Sequence, residues 1–249
     1  MTTTPAFSAV RPAKAVLFDA YGTLFDVYSV AQCAESLFPG QGAAISLLWR
    51  DKQIEYTRLV TTSNDGAHYQ PFSALTRAAL TYTLKRLVCK EATEASAFEA
   101  MHGDAMARLM AQYLHLSPFE ENRAVLENLK AQGIVTGILS NGDPGMLNAV
   151  VQAAGFDRLL DHVISVDEVR KFKTHPLSYG LGEQKLKLPA SEIVFVSSNS
   201  WDALCATWFG YRTLWVNRGK LPFEELGTQP EHVGDDLRAV LSFFPSNLS

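Results

Sequence analysis

The chain has 249 residues, 47% apolar and 19% charged, with a net charge of −4. That length can bury one large core or two smaller ones, and the composition is that of an ordinary globular protein. Mild acidity without blocks of like charge argues against a nucleic-acid partner. No apolar run reaches the length of a membrane span. Three scattered cysteines, Cys33, Cys89 and Cys205, suit a reducing cytoplasm and suggest no zinc site.

Residues 1–13 read as a flexible tail rather than a signal peptide. The run Ala15-Val-Leu-Phe18 then leads straight into Asp19, with Tyr21, Gly22 and Thr23 close behind. A short apolar run ending in a turn predicts a buried parallel strand with a carboxylate at its C-terminal tip. Ligands of open α/β sheets bind along that edge, and a carboxylate there can serve as a nucleophile. Residues 28–112 lack strand-like runs. Ile45, Leu48, Trp49, Tyr56, Leu59 and Val60 share one helical face. Phe72, Leu75, Ala79, Tyr82 and Leu87 mark a second helix, and 98–114 a third, while 61–70 reads as loop. These features predict a helical cap inserted after the first strand, over the strand tips, where it can act as a lid.

Strand and helix signals alternate from residue 120 onward. Residues 120–132 predict a helix, with Ala124, Val125, Leu126 and Leu129 on one side and Gly133 as its stop. Asp143-Pro144 opens another, carried by Met146, Leu147, Val150, Val151 and Ala154 and ended by Gly155. Strands are predicted at 134–139, 162–166, 193–196 and 213–216, and further helices at 176–188 and 201–209. Trp208 and Phe209 read as core residues of the last helix, and 218–233 as irregular. The pattern predicts an α/β fold with a doubly wound parallel sheet. Its core comprises 14–27 and 113–249, and the cap comprises 28–112.

Four places along the predicted sheet edge carry reactive or polar groups. Asp19 and Thr23 follow the first strand. Ser140-Asn141-Gly142 follows the second and opens a helix, a setting that suits an anion. Lys173 precedes a helix, and Ser197-Ser198-Asn199-Ser200-Trp201-Asp202 follows a later strand. Taken singly, each has an ordinary explanation as turn former, exposed lysine or N-cap. Together, in this order, they resemble the haloacid dehalogenase superfamily from Ala15 to about Val233. The likeness is closer still to L-2-haloacid dehalogenases. It rests on five segments: Asp19-Ala-Tyr-Gly-Thr-Leu-Phe-Asp26; Trp49-Arg50 with Gln53 and Glu55-Tyr56-Thr57; Leu139-Ser-Asn-Gly142; Phe172-Lys173 with His175-Pro176; and Phe195-Val-Ser-Ser-Asn199 with Trp201-Asp202.

The residues between these landmarks bear on which bond is broken. Phosphatases of the superfamily carry Asp-x-Asp, whose second carboxyl protonates the leaving alkoxide. Here Tyr21 takes that place, and a phenol with a pKa of about 10 is a poor acid at neutral pH. A halide needs no proton. Where phosphatases place carboxylates for magnesium, this chain offers Ser197, Ser198 and Asn199 and keeps Asp202; Asp19 and Asp202 alone are a sparse magnesium set, so no metal and no cofactor is expected. A magnesium-dependent small-molecule phosphatase is the alternative. A non-catalytic binding protein would normally lack Asp19 or Lys173. Arg50 shares a helical face with Leu47 and Ile54, which suits a small anion with a short apolar chain.

The resemblance implies hydrolysis of short-chain L-2-haloalkanoates, with inversion at C2, through an ester on Asp19. It assigns Lys173 to keep Asp19 ionised, Thr23 and Ser197 to hold it, and Asn199 and Asp202 to position water. Arg50, with Asn141, would receive the halide. Ser140 and Tyr179 would bind the substrate carboxylate, and Tyr21, Ile54, Phe72 and Trp201 would form an apolar wall. It also implies a cytoplasmic homodimer whose partner is the small 2-haloacid anion. Asp143, Thr174 and Ser200 depart from the family pattern and bear on substrate range, while His175 is expected to be structural.

Overall fold

The computed structural model describes residues 12–89 and 94–244. Most of the expected N-terminal tail therefore lies outside the described residues. Strand β1 (Ala15–Phe18) is buried at every position, as a continuous apolar run at the centre of a parallel sheet requires. The chain then leaves the sheet for four helices: α1 (Ala31–Leu37), α2 (Gly42–Thr62), α3 (Phe72–Leu87) and α4 (Ala95–Tyr113). It returns through α5 (Asn122–Ala131), β2 (Val135–Ser140), α6 (Pro144–Ala153), β3 (His162–Ser165) and α7 (Pro176–Leu186). Strand β4 (Ile193–Ser197), α8 (Ser200–Phe209), β5 (Arg212–Val216) and β6 (His232–Gly234) complete it.

The sheet order is β3-β2-β1-β4-β5-β6, with every pairing parallel. Winding runs outward to β3, then restarts on the far side of β1 at β4. That reversal opens a crevice at the C-terminal tips of β1, β2 and β4. In register, Phe18 faces Ile138 and Val196, so Asp19 emerges level with Leu139 and Ser197, and Ser140 follows one residue further along β2. The α/β fold class read from sequence holds.

Several details differ from the sequence reading. Strand β6 lies within the stretch read as irregular. Three residues give no usable period, and its pairing partner β5 supplies the pattern. Helix α2 continues to Thr62 and is followed by a 3-10 turn at Ser63–Gly66 where loop was expected. Ala124 faces solvent, while Leu126 is buried. Trp208 is 55% exposed, and its indole N–H donates to Thr228 Oγ1 at 2.9 Å instead of filling the core.

The buried face of α2 is not the one hydrophobicity marks. Ile45 and Trp49 are buried, but so are Ser46, Gln53, Thr57 and Thr61, while Leu47 and Leu59 are about half exposed. A helix that roofs a polar cavity has reason to turn hydroxyls and amides inward, provided each finds a partner.

Candidate active site

Asp19 continues the line of β1 by donating its amide to Val196 O at 2.9 Å. The chain then turns sharply, with Gly22 at φ +92°, a conformation that disfavours a side chain. The turn brings Thr23 back under Asp19. The Thr23 hydroxyl accepts from Ser198 N at 2.8 Å and lies 3.4 Å from Asp19 Oδ2. The same oxygen accepts from Asn199 Nδ2 at 2.8 Å.

Lys173 is 1% exposed, and its ammonium bridges two carboxylates. It donates to Asp19 Oδ1 at 3.1 Å and to Asp202 Oδ2 at 3.0 Å, and stands 4.8 Å from the centre of the Phe195 ring. The Lys173 backbone N–H donates to Asn141 Oδ1 at 2.9 Å, tying the lysine loop to the tip of β2. Asp202 sits fully buried in the first turn of α8, where the helix dipole favours a carboxylate. Burial pushes the Asp202 carboxyl up; the Lys173 ammonium opposes this, and the like charge of Asp19 adds to the rise.

The cap closes the cavity from above. Arg50 on α2 reaches down between the domains. Its Nη2 donates to Tyr21 O at 3.1 Å and Asn199 Oδ1 at 3.3 Å, and its Nη1 donates to Gln53 Oε1 at 2.7 Å. Gln53 is in turn held by Tyr113 OH at 3.0 Å and donates to Thr76 Oγ1 at 2.7 Å. The guanidinium is thus oriented by three cap helices. Asp19, Tyr21, Arg50, Ile54, Thr57, Phe72, Ser140, Asn141, Asn199 and Trp201 line one small, tight cavity. Asp19 is only 6% exposed within it.

Tyr21 forms part of the wall, stacked on Phe72 with ring centres 5.5 Å apart and close to Tyr113 at 5.4 Å. Gly142 permits this, because a Cβ there would stand 2.8 Å from the Tyr21 ring. Among the described residues the Tyr21 hydroxyl has no hydrogen-bond partner. Burial, with Tyr113 and Asp143 nearby, pushes the phenol well above its ordinary range. It is held protonated and is a weak acid.

The structure gathers most of the residues read from the sequence but reassigns some tasks. Tyr179 does not line the cavity. It is buried behind Asp202, to whose Oδ1 its hydroxyl donates at 2.7 Å, so it orients the carboxylate rather than a substrate. The Ser197 hydroxyl accepts from Asn199 N at 3.1 Å and shapes the turn after β4, instead of holding Asp19. Ser140, fully buried, accepts from Gly142 N at 3.2 Å. Leu47 lies outside the cavity. His175 caps α7, its ring nitrogen accepting from Leu177 N. Asp143 caps α6 through Met146 N and also accepts from Ser73 N at 2.9 Å, pinning the start of α3 to the core. Gln53 and Thr57 had no assigned task in the sequence reading. Their spacing from Arg50, one and two turns along α2, was the available signal.

A family model for haloacid dehalogenase-like hydrolases matches residues 13–210. The chain belongs to the haloacid dehalogenase-like hydrolase family. A (S)-2-haloacid dehalogenase H-109 of Pseudomonas putida is 42% identical over 92% of this chain and 96% of its own. The crystal structure of the L-2-haloacid dehalogenase RSc1362 superposes with a TM-score of 0.86 at 48% identity, covering 94% of this chain and 99% of that one. An L-2-haloacid dehalogenase from Xanthobacter autotrophicus, with chloropropionic acid covalently bound, superposes at 0.80. It is 36% identical, over 92% and 96% of the two chains.

Proposed function

We propose that this enzyme hydrolyses short-chain L-2-haloalkanoates to 2-hydroxy acids with inversion at C2, using Asp19 as nucleophile. The observation that carries the reading is the buried Tyr21 phenol in the wall beside Asp19, where a phosphatase of the superfamily carries its second carboxyl, with the Lys173 bridge on the core side. A buried ammonium sits 3.1 and 3.0 Å from Asp19 and Asp202 and supplies the positive charge there. The proposed cavity therefore carries its own fixed cation, opposite a phenol unsuited to protonating an alkoxide.

In the first step an Asp19 oxygen attacks C2 from behind the halogen. The C–X bonding pair leaves with the halide, and an ester joins Asp19 to C2. Arg50 and the Asn141 amide, both lining the cavity, receive the anion. Preorganised donors aimed at developing charge are worth several kcal/mol in such steps, of order 10²–10³-fold each. In the second step water adds to the Asp19 carboxyl carbon and the C2–O bond to substrate is kept, so C2 inverts once only. One proton is released, and Asp19 is restored with one oxygen from water. Asn199 and Thr23 hold the carboxyl group in place through both steps. Asp202 fixes Lys173, and Tyr179 fixes Asp202.

The apolar wall of Ile54, Phe72 and Trp201 suits a short alkyl chain and rejects bulky ones. A cytoplasmic homodimer belongs to the same proposal, and light scattering tests the dimer. No described helix is long and apolar enough to cross a membrane.

Halide release from L- and D-2-chloropropionate in EDTA tests the reaction. The expected result is release from the L enantiomer alone, undiminished by chelator, with little phosphate release from small esters even when magnesium is added. Inertness toward both enantiomers across a range of pH, or EDTA-sensitive phosphatase activity, would overturn it.

A further inference from the structure

Two flanks of the Asp19 cavity differ in how they are closed. On one, Arg50 is hydrogen-bonded to Tyr21 O and to Asn199, so parting the domains there breaks charge-assisted bonds. On the other, Ile54 and Trp201 face the cavity on their inner side and an outer groove on the other, shared with Asp51, Glu55 and Arg58. Among the described residues no hydrogen bond holds the Trp201 indole. What lies over it is the Arg58 guanidinium, 5.0 Å from the ring centre.

Arg50, Ile54 and Arg58 follow one another at one-turn spacing on α2. That row runs from inside the cavity, through its wall, to the surface, with the two arginines about 12 Å apart along the helix. Arg58 is exposed, and among the described residues it makes no ion pair. Glu55, three residues before it, is engaged by Lys52 at 2.8 Å. The groove's other charges, Asp51 and Glu55, are acidic. Without Arg58 it would repel an anion.

The geometry points to Arg58 as the residue that admits substrate. Its guanidinium captures the carboxylate of an incoming 2-haloacid in the outer groove. In doing so it leaves the Trp201 face and frees the indole to swing aside, opening the Ile54–Trp201 seam toward Arg50. A carboxylate is the stronger partner for a guanidinium than an aromatic face is, so the exchange runs in the required direction. This inference rests on the dehalogenase reading above, which supplies the anionic substrate.

The test measures halide release from L-2-chloropropionate by wild type, Arg58→Gln and Arg58→Lys, at low and high ionic strength set with a non-halide salt. At low ionic strength Arg58→Gln should lower kcat/KM about tenfold and flatten its salt dependence, as loss of a steering charge does. Its kcat should stay within about twofold of wild type. Arg58→Lys should recover most of the kcat/KM and of the salt slope. Wild-type kcat/KM and slope in Arg58→Gln would overturn the inference. So would a loss confined to kcat, or an Arg58→Lys as poor as the glutamine variant. A wild type that releases no halide at all refutes the dehalogenase reading itself, and is told apart by needing no variant.

Discussion

The core and the cap meet Asp19 from opposite sides and by different physical means. Core groups stand at strand tips and in the turns after them, fixed by sheet register and backbone bonds. Asp19, Thr23, Asn199 and Asp202 can hardly move without disturbing β1 or β4. Cap groups stand on α2 and α3 and are set by helical spacing: Arg50 and Ile54 on one, Phe72 on the other. Their placement over Asp19 depends on contacts between cap and core such as those of Arg50 with Tyr21 O and Asn199. On the proposed reading, charge and nucleophile lie in the core, and shape and anion reception in the cap. Variants in the core should lower kcat and stability together. Those in the cap should alter kcat, KM or substrate choice and leave stability nearly intact.

The largest departure should come from Lys173→Met. It leaves Asp19 and Asp202 buried with like charge and no cation. Breaking a buried pair of this kind costs roughly 3–5 kcal/mol, and kcat should fall at least about 100-fold as Asp19 loses the donor that holds its Oδ1. Urea unfolding alongside steady-state kinetics checks both. A variant with normal stability would break the division drawn above. Arg50→Gln comes next, with kcat lower by about 10²-fold and an unfolding midpoint within error of wild type. A large loss of stability there would mean the Arg50–Asn199 contact is structural first.

Ile54→Ala should shift selectivity rather than rate. Removing the side chain deepens the wall, so the ratio of kcat/KM for 2-chlorobutyrate over 2-chloropropionate should rise about tenfold, the scale of one methylene in an apolar pocket. Competition assays with both acids read this directly, and an unchanged ratio would show that Ile54 does not bound the alkyl chain.

The smallest effect concerns the cap's outer hold on the core. Lys171 donates to Asp65 Oδ1 at 2.6 Å, and Tyr69 OH donates to Asp167 close by. Lys171 holds the Asp65 carboxyl below the usual aspartate range. A depressed folded-state value means the pair contributes above the unfolded pKa of about 4 and is lost as pH falls through the folded one. Asp65 is exposed, so the effect is slight. Hydrogen exchange of residues 63–70 should quicken modestly below pH 4 in wild type but not in Asp65→Asn, once corrected for intrinsic rates. Identical profiles would remove the pair from the closing contacts.

What could be read from the sequence follows the same division. The core site was legible because its groups sit in contiguous strand–turn segments, where a short apolar run and the residues after it fix both position and exposure. Asp19 and Asn199 were placed in this way, whereas Lys173 stood out only as a lysine before a helix, in order with the other segments. Tyr179 was placed near the site but given the wrong task, because its partner Asp202 lies on a different helix and only packing brings them together. The inward face of α2 misled hydrophobic periodicity. Gln53, Thr57 and Thr61 point in because the space below is polar, while Leu47 and Leu59 point out. Strand β6 was too short to carry a pattern, and Trp208 was assigned to the core on bulk alone.

The nucleophilic role of Asp19 is tested most directly by a single turnover in heavy-oxygen water. Excess enzyme would be reacted with L-2-chloropropionate, and the peptide bearing Asp19 and the product lactate analysed by mass spectrometry. Attack by Asp19 predicts the heavy atom in the Asp19 carboxylate and unlabelled lactate. Label in the lactate, with Asp19 unlabelled, would mean that water attacks C2 itself, and would contradict the ester intermediate.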